Sequence, residues 1–227
     1  MATNITLFTL FIIVLFLMAH RKKTKKRIVF LGDSITEQGK SLTGFISIIN
    51  RQIEVDDLVK KYQTIASGVS GNRVYDLCFR LDEDVLAKSP NITVILIGIN
   101  DVWGKQKNGT GLDIDKYERF YRAIIVKLLA ANSQIVLCTL PVIGEKQNNQ
   151  NLQDQDLEDY STVVRKLAKE YSLKLCDLRE AFVNYINQNN YENIEQGLLT
   201  TDGVHLNEEG NKLIATRVWE AIKTVGI

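Results

Sequence analysis

The chain has 227 residues, with 28 Lys and Arg against 27 Asp and Glu, 45% hydrophobic and 24% charged residues, two His and three Cys. That composition excludes disorder and collagen-like architecture, and a net charge of +1 offers no chain-wide basic face for nucleic acid. Two histidines and no C-x-x-C spacing leave no ordinary His- or Cys-rich metal site, so chemistry that needs an imidazole rests on His20 or His205.

Residues 1–20 carry no Asp, Glu, Lys or Arg, whereas Arg21 to Arg27 (RKKTKKR) supplies six positive charges and leaves residues 28–227 at net −5. Ile5 to Ala19 is apolar apart from Thr6 and Thr9, and the whole run is close to the lower length limit, about 17 residues, for a helix across a bilayer. A signal peptide carries its Lys or Arg ahead of the apolar run, but here the basic cluster follows it. The expected organisation is an N-terminal membrane anchor over residues 1–20, a basic collar over 21–26 and one domain over 27–227. The positive-inside bias puts that domain on the cytoplasmic face, and the collar can touch anionic headgroups. A secreted or periplasmic product with an atypical signal is the alternative. Cys78, Cys138 and Cys176 are odd in number and sit in apolar segments, so they read as free, buried thiols.

From Arg27 onward, short apolar runs at 27–32, 62–67, 92–98, 134–140 and 173–178 alternate with longer stretches of helical spacing. Within 113–131, Ile114, Tyr117, Tyr121, Ile124, Ile125 and Leu128 form one stripe. Within 207–225, Ile214, Val218, Ala221, Ile222 and Val225 form another, with Asn207 placed to cap it. Near-continuous apolar strands between amphipathic helices indicate a parallel sheet covered on both faces. The expectation is a flavodoxin-like three-layer α/β/α sandwich with five parallel strands and its site beyond their carboxyl ends. The Asn/Gln-rich stretch 147–155 reads first as a solvated loop, with a border of the site as the second option.

Chemistry-bearing residues cluster after these runs: Gly32-Asp33-Ser34, Gly68-Val69-Ser70-Gly71, Gly98-Ile99-Asn100-Asp101 and Asp202-Gly203-Val204-His205. A serine hydroxyl becomes a nucleophile when a base takes its proton, and His205 is the one histidine of the body. Asp202, three residues earlier in a Gly-containing turn, can hold Nδ1 and leave Nε2 for Ser34. The charge that forms on an attacked acyl oxygen needs preorganised donors. The backbone N–H groups of Ser34 and Gly71 and the side-chain amide of Asn100 can supply them. Phe45 and Trp103 read first as packing aromatics, with a pocket wall as the second option.

The four blocks GDS, a Gly in the second, GxND in the third and DGVH near the end, in order over residues 32–205, resemble the SGNH (GDSL) hydrolases. The resemblance implies Ser34 as nucleophile, His205 as base, Asp202 as its partner, and an oxyanion hole from Ser34, Gly71 and Asn100. Ile35 replaces the family's Leu, and Ala66 replaces the Asn that often opens the second block. GINDVW at 98–103 and LTTDGVHLNEEGN at 199–211 look like the small-ester branch that includes isoamyl acetate-hydrolysing esterases. The expected function is therefore a serine esterase acting on small or short-acyl esters, needing no cofactor or metal. A lysophospholipase or thioesterase working on membrane-derived acyl esters is one alternative. A non-catalytic flavodoxin-like binding module is another, although no G-x-G-x-x-G or P-loop signature supports nucleotide binding.

Overall fold

In the computed structural model, which describes residues 24–226, the five apolar runs become five strands of one parallel sheet. They are β1 (Lys26–Gly32), β2 (Tyr62–Gly68), β3 (Ile92–Leu96), β4 (Gln134–Cys138) and β5 (Lys174–Cys176), in the spatial order β2-β1-β3-β4-β5. That is the flavodoxin-type order expected of strands joined by right-handed helical crossovers. The apolar residues of β1 and β3 are almost wholly buried: Ile28 and Leu31 on β1 and Ile95 on β3 are each 0% exposed. This two-sided burial is why the sequence shows runs there rather than alternation.

Eight helices are described: α1 (Ser34–Gln38), α2 (Phe45–Val55), α3 (Val74–Asp84), α4 (Ile99–Asn108), α5 (Ile114–Ala130), α6 (Asp154–Glu170), α7 (Leu178–Asn189) and α8 (Glu208–Gly226). Helices α2, α7 and α8 cover one face of the sheet, with α2 and α7 both packed on α8; α3, α5 and α6 cover the other. The α5 stripe buries Tyr117, Tyr121, Ile124, Ile125 and Leu128, and Ile114 packs at its margin. Tyr117 stacks against Tyr160 of α6 at 4.8 Å between ring centroids, and its hydroxyl donates to the Ile97 carbonyl at 2.9 Å. Phe45 lies in the core, edge-on to Phe30 at 5.8 Å. Asn207 caps α8 by accepting from the Gly210 N–H at 3.0 Å.

Three strands end before the apolar runs that mark them. Ile97 and Leu140 remain fully buried after β3 and β4 have ended, so hydrophobicity outlasts the ladder. After β5 the chain turns at once into α7, whose first turn is capped by Asp177 accepting from the Glu180 N–H. Cys138 and Cys176 are free, buried register partners on β4 and β5, while Cys78 is only half-buried because it lies toward the flank of α3.

The apolar run and Arg21 to Lys23 of the basic collar fall outside the described residues, so the expected anchor lies outside them too. Among the described residues no helix is long and apolar enough to cross a membrane. The last collar residue, Lys26, is the first of β1; its amine donates to the Gly226 carbonyl at 2.9 Å.

Candidate active site

All four sequence blocks reach the carboxyl edge of the sheet. At the end of β1, Asp33 Oδ1 accepts from the Ile35 N–H at 3.1 Å, which starts α1 and makes Ser34 its first residue. The first backbone N–H groups of a helix have no intrahelical acceptor, so Ser34 sits at a donor-rich end. Its side chain is 8% exposed, enough to open onto the surface while being fixed by its surroundings.

The loop after β2 is held on three sides. Glu37 of α1 accepts from the N–H of Ser70 at 2.8 Å and also from its hydroxyl. Arg80 of α3 donates to the carbonyls of Gly32 (2.9 Å) and Ser67 (3.0 Å) and to Asn72 Oδ1 (2.7 Å). One guanidinium thus joins the ends of two strands to the loop that carries Gly71. A side chain at Gly68 would collide with the backbone of Thr36 and Glu37, so only glycine lets α1 approach β2 this closely. Gly71 itself has φ +79°, which a larger residue adopts only with strain.

Asn100, in the first turn of α4, donates from Nδ2 to the Asn72 carbonyl at 3.0 Å, and Asp101 accepts from the Val74 N–H at 3.2 Å. These two bonds dock the third block on the second. The fourth completes the site. Ser34 Oγ lies 3.0 Å from His205 Nε2, and His205 Nδ1 lies 2.7 Å from Asp202 Oδ2. Asp202 Oδ1 also accepts from the N–H groups of Val204 (3.0 Å) and His205 (2.7 Å), so the carboxylate organises the turn and the ring together. Ser34, Asp202 and His205 form one continuous chain of hydrogen bonds, and Gly71 and Asn100 stand in segments tied to it.

The electrostatics separate two kinds of carboxyl. Partial burial works against charge on Asp202, but the hydrogen bonds from the His205 ring and from two N–H groups outweigh it and hold the carboxyl below the ordinary Asp value. Burial instead pushes Asp33 and Asp101 up to about 7 each; the Ile35 and Val74 N–H groups oppose the shift, and the charge of Asp33 adds to that on Asp101. Asp33 Oδ2 is buried and has no hydrogen-bond partner among the described residues.

A cleft of about 350 Å³ adjoins Asp202, walled by Trp103, by Ile143, Lys146 and residues 150–153, and by Glu195 and Gln196. The stretch 147–155 therefore borders the site and is only partly a solvated loop: Gln153 is 4% exposed and donates to the Val102 carbonyl at 2.8 Å. Trp103 lines this cleft, unlike Phe45, which is wholly structural.

Glu145 has a role that its sequence neighbours do not signal. It is 0% exposed and accepts from the N–H groups of Leu198 (2.7 Å), Leu199 (2.8 Å) and Thr200 (2.6 Å) and from the Thr200 hydroxyl (2.7 Å). Thr200 Oγ1 then accepts from the Gly203 N–H at 3.1 Å, one residue from Asp202. This carboxylate anchors the loop that bears Asp202 and His205. Arg179 does similar work for the opposite wall, donating to Asp154 at 2.8 Å and to the Pro141 carbonyl at 3.1 Å.

Comparison with known proteins agrees with the geometry. Residues 30–213 match the model of the GDSL-like Lipase/Acylhydrolase family. The chain is 27% identical over 208 residues to an acetylxylan esterase of Geobacillus stearothermophilus, covering 84% of this chain and 90% of that one. It is 22% identical over 214 residues to the GDSL esterase/lipase CPRD49 of Arabidopsis thaliana, covering 88% and 79%. The crystal structure of the acetyl xylan esterase AlAXEase superposes with a TM-score of 0.85 at 43% identity, over 86% of this chain and 99% of that one. The chain belongs to the GDSL-like lipase/acylhydrolase (SGNH) family and is a carboxylic ester hydrolase.

Proposed function

We propose that the protein is a serine esterase that removes small or short acyl groups from alcohols through an acyl-enzyme intermediate. The observation that carries this reading is the unbroken chain from Ser34 Oγ through the His205 ring to Asp202. Ser34 attacks the ester carbonyl carbon as His205 Nε2 takes the hydroxyl proton, and Asp202 stabilises the imidazolium that results. Negative charge on the carbonyl oxygen is met by the N–H groups of Ser34 and Gly71 and by the Asn100 amide, each such donor typically contributing about 3 kcal/mol to lowering the barrier. His205 returns the proton to the departing alkoxide, and water repeats the sequence on the acyl-enzyme. The relatives named as acetylxylan esterases favour acetyl as the acyl group over the long chains of membrane lipids.

The test is hydrolysis of a chain-length series of p-nitrophenyl esters by the full-length protein. Turnover is expected on acetate and to fall as the acyl chain lengthens. Ser34→Ala and His205→Ala are each expected to lower kcat by roughly 10⁴-fold or more. Wild-type turnover by Ser34→Ala overturns the mechanism, and a preference for long-chain esters or thioesters moves the assignment to the lysophospholipase or thioesterase alternative. We also propose residues 1–20 as a membrane anchor with a cytoplasmic body, supported by the apolar run and the six positive charges behind it. Protease digestion of the body from outside sealed cells reverses that orientation.

A further inference from the structure

We propose that Asn72 is a positioning residue of the reaction: it aims the Gly71 and Asn100 oxyanion donors as one unit, and Arg80 holds it in place. The inference rests on the esterase reading above and adds to it what orients the donors.

Three polar groups of Asn72 make three bonds, each to a different segment. Its N–H donates to the Val69 carbonyl at 3.2 Å, which closes a turn over residues 69–72. Gly71 is the third residue of that turn, and its φ of +79° is the value a type II turn takes there. Types I and II differ by a turn-over of the central peptide, here the one between Ser70 and Gly71. The closed turn with this φ thus fixes which way the Gly71 N–H points.

The Asn72 carbonyl accepts from Asn100 Nδ2 at 3.0 Å. A primary amide carries two N–H bonds on its nitrogen and none on its oxygen, so only one of the two flip states of Asn100 can make this contact. In the other state Oδ1 would face the carbonyl, acceptor against acceptor. The bond selects the donor state, and because the amide is planar it leaves the second N–H at a fixed angle for an oxyanion. The Asn72 side chain makes the third contact. Its Oδ1 accepts from Arg80 Nε at 2.7 Å, a charge-assisted bond, while the other two guanidinium nitrogens bind the carbonyls of Gly32 and Ser67 and the Asp84 carboxylate. Arg80 is therefore pinned to the ends of β1 and β2, and it keeps its charge at any working pH. Asn72 is half-buried and the Arg80 side chain only 17% exposed, so little solvent competes for their bond.

The test is a double-mutant cycle on p-nitrophenyl acetate with the full-length protein. Asn100→Ala removes a donor and is expected to lower kcat about 100-fold. Asn72→Ala leaves every donor in place and is expected to lower kcat about tenfold with KM within about twofold, since aim matters to the transition state and not to the bound ester. In the Asn100→Ala background the same substitution is expected to cost about threefold or less, because one of the two donors it aims is already gone. Asn72→Asp, whose carboxyl oxygen still accepts from Arg80, is expected to recover most of kcat. If Asn72→Ala does not fold, Arg80→Lys takes its place in the cycle with the same expected pattern. Independent losses at the two positions, a loss carried by KM, or an Asn72→Asp protein as slow as Asn72→Ala overturns the proposal. A wild type that does not hydrolyse p-nitrophenyl acetate overturns the esterase reading. The same cycle is then read from the rate of Ser34 labelling by a fluorophosphonate, since the phosphoryl oxygen of that reagent meets the same donors, and it still judges Asn72.

Discussion

Ser34 stands at the end of a central strand, where the sheet register and the first turn of α1 fix it, whereas Asp202 and His205 stand in the connection between α7 and α8. That connection has no helix and a single isolated bridge, Thr200 to Leu206. The Ser34 side is positioned by the ladder and by Arg80 and Glu37, which tie neighbouring elements together. The His205 side is positioned by one buried carboxylate, Glu145, that gathers three N–H groups and a hydroxyl. A strand end needs little beyond its own hydrogen bonds to hold a reactive group; a loop needs a buried acceptor to reach the same precision. The two halves of the site should therefore fail in different ways.

Glu145→Ala is the strongest way to break that contrast. It leaves several buried donors unsatisfied and is expected to cost about 3 kcal/mol or more in urea unfolding, with a loss of kcat well beyond that of any exposed-loop substitution. Labelling of Ser34 by a fluorophosphonate should fall as well, since His205 would no longer be held against it. Near-normal labelling and stability would mean that the loop is held by something else.

On the nucleophile side the revealing variable is pH. Asp33 and Asp101 keep their protons to about pH 7 in the folded protein but release them near 3.8 when unfolded. The folded state thus binds more protons between those values. The stability that these two groups contribute is present below about pH 4 and is lost as pH rises through 7, by an amount of a few kcal/mol. Asp33→Asn and Asp101→Asn should each flatten the decline in unfolding free energy between pH 4 and 8. An unchanged slope in both variants would remove the buried-acid account.

The smallest effect serves as a control. Asn207→Ala removes the cap of α8 just past the catalytic loop and should cost about 1 kcal/mol with kcat retained. A large loss of kcat would show that the loop depends on α8 for its shape.

Much of this arrangement could be read from the chain. Strands β1, β3 and β4 announce themselves because they are apolar and buried on both faces, and the α5 stripe appears at helical spacing because one side of that helix is core. The meeting of Ser34, His205 and Asp202 in one chain of hydrogen bonds was legible for a chemical reason: a serine used as nucleophile needs a base, and the body offers one histidine. The supports were not. Glu145 lies more than 50 residues from the N–H groups it holds, and Arg80 is 48 from the Gly32 carbonyl. Such partnerships exist only after the sheet has brought distant segments together, and no local periodicity records them. Strand ends blurred for a related reason, since burial at Ile97 and Leu140 continues where pairing stops.

One consequence follows from the parallel direction of the strands. Lys26 is the first residue of β1 and Ser34 follows its end, so seven residues of strand, about 23 Å at 3.3 Å per residue, separate the amino edge of the sheet from the Ser34 hydroxyl. The opening beside Ser34 therefore faces away from the edge at which the strands begin, and anything attached at that edge leaves the approach to the hydroxyl clear.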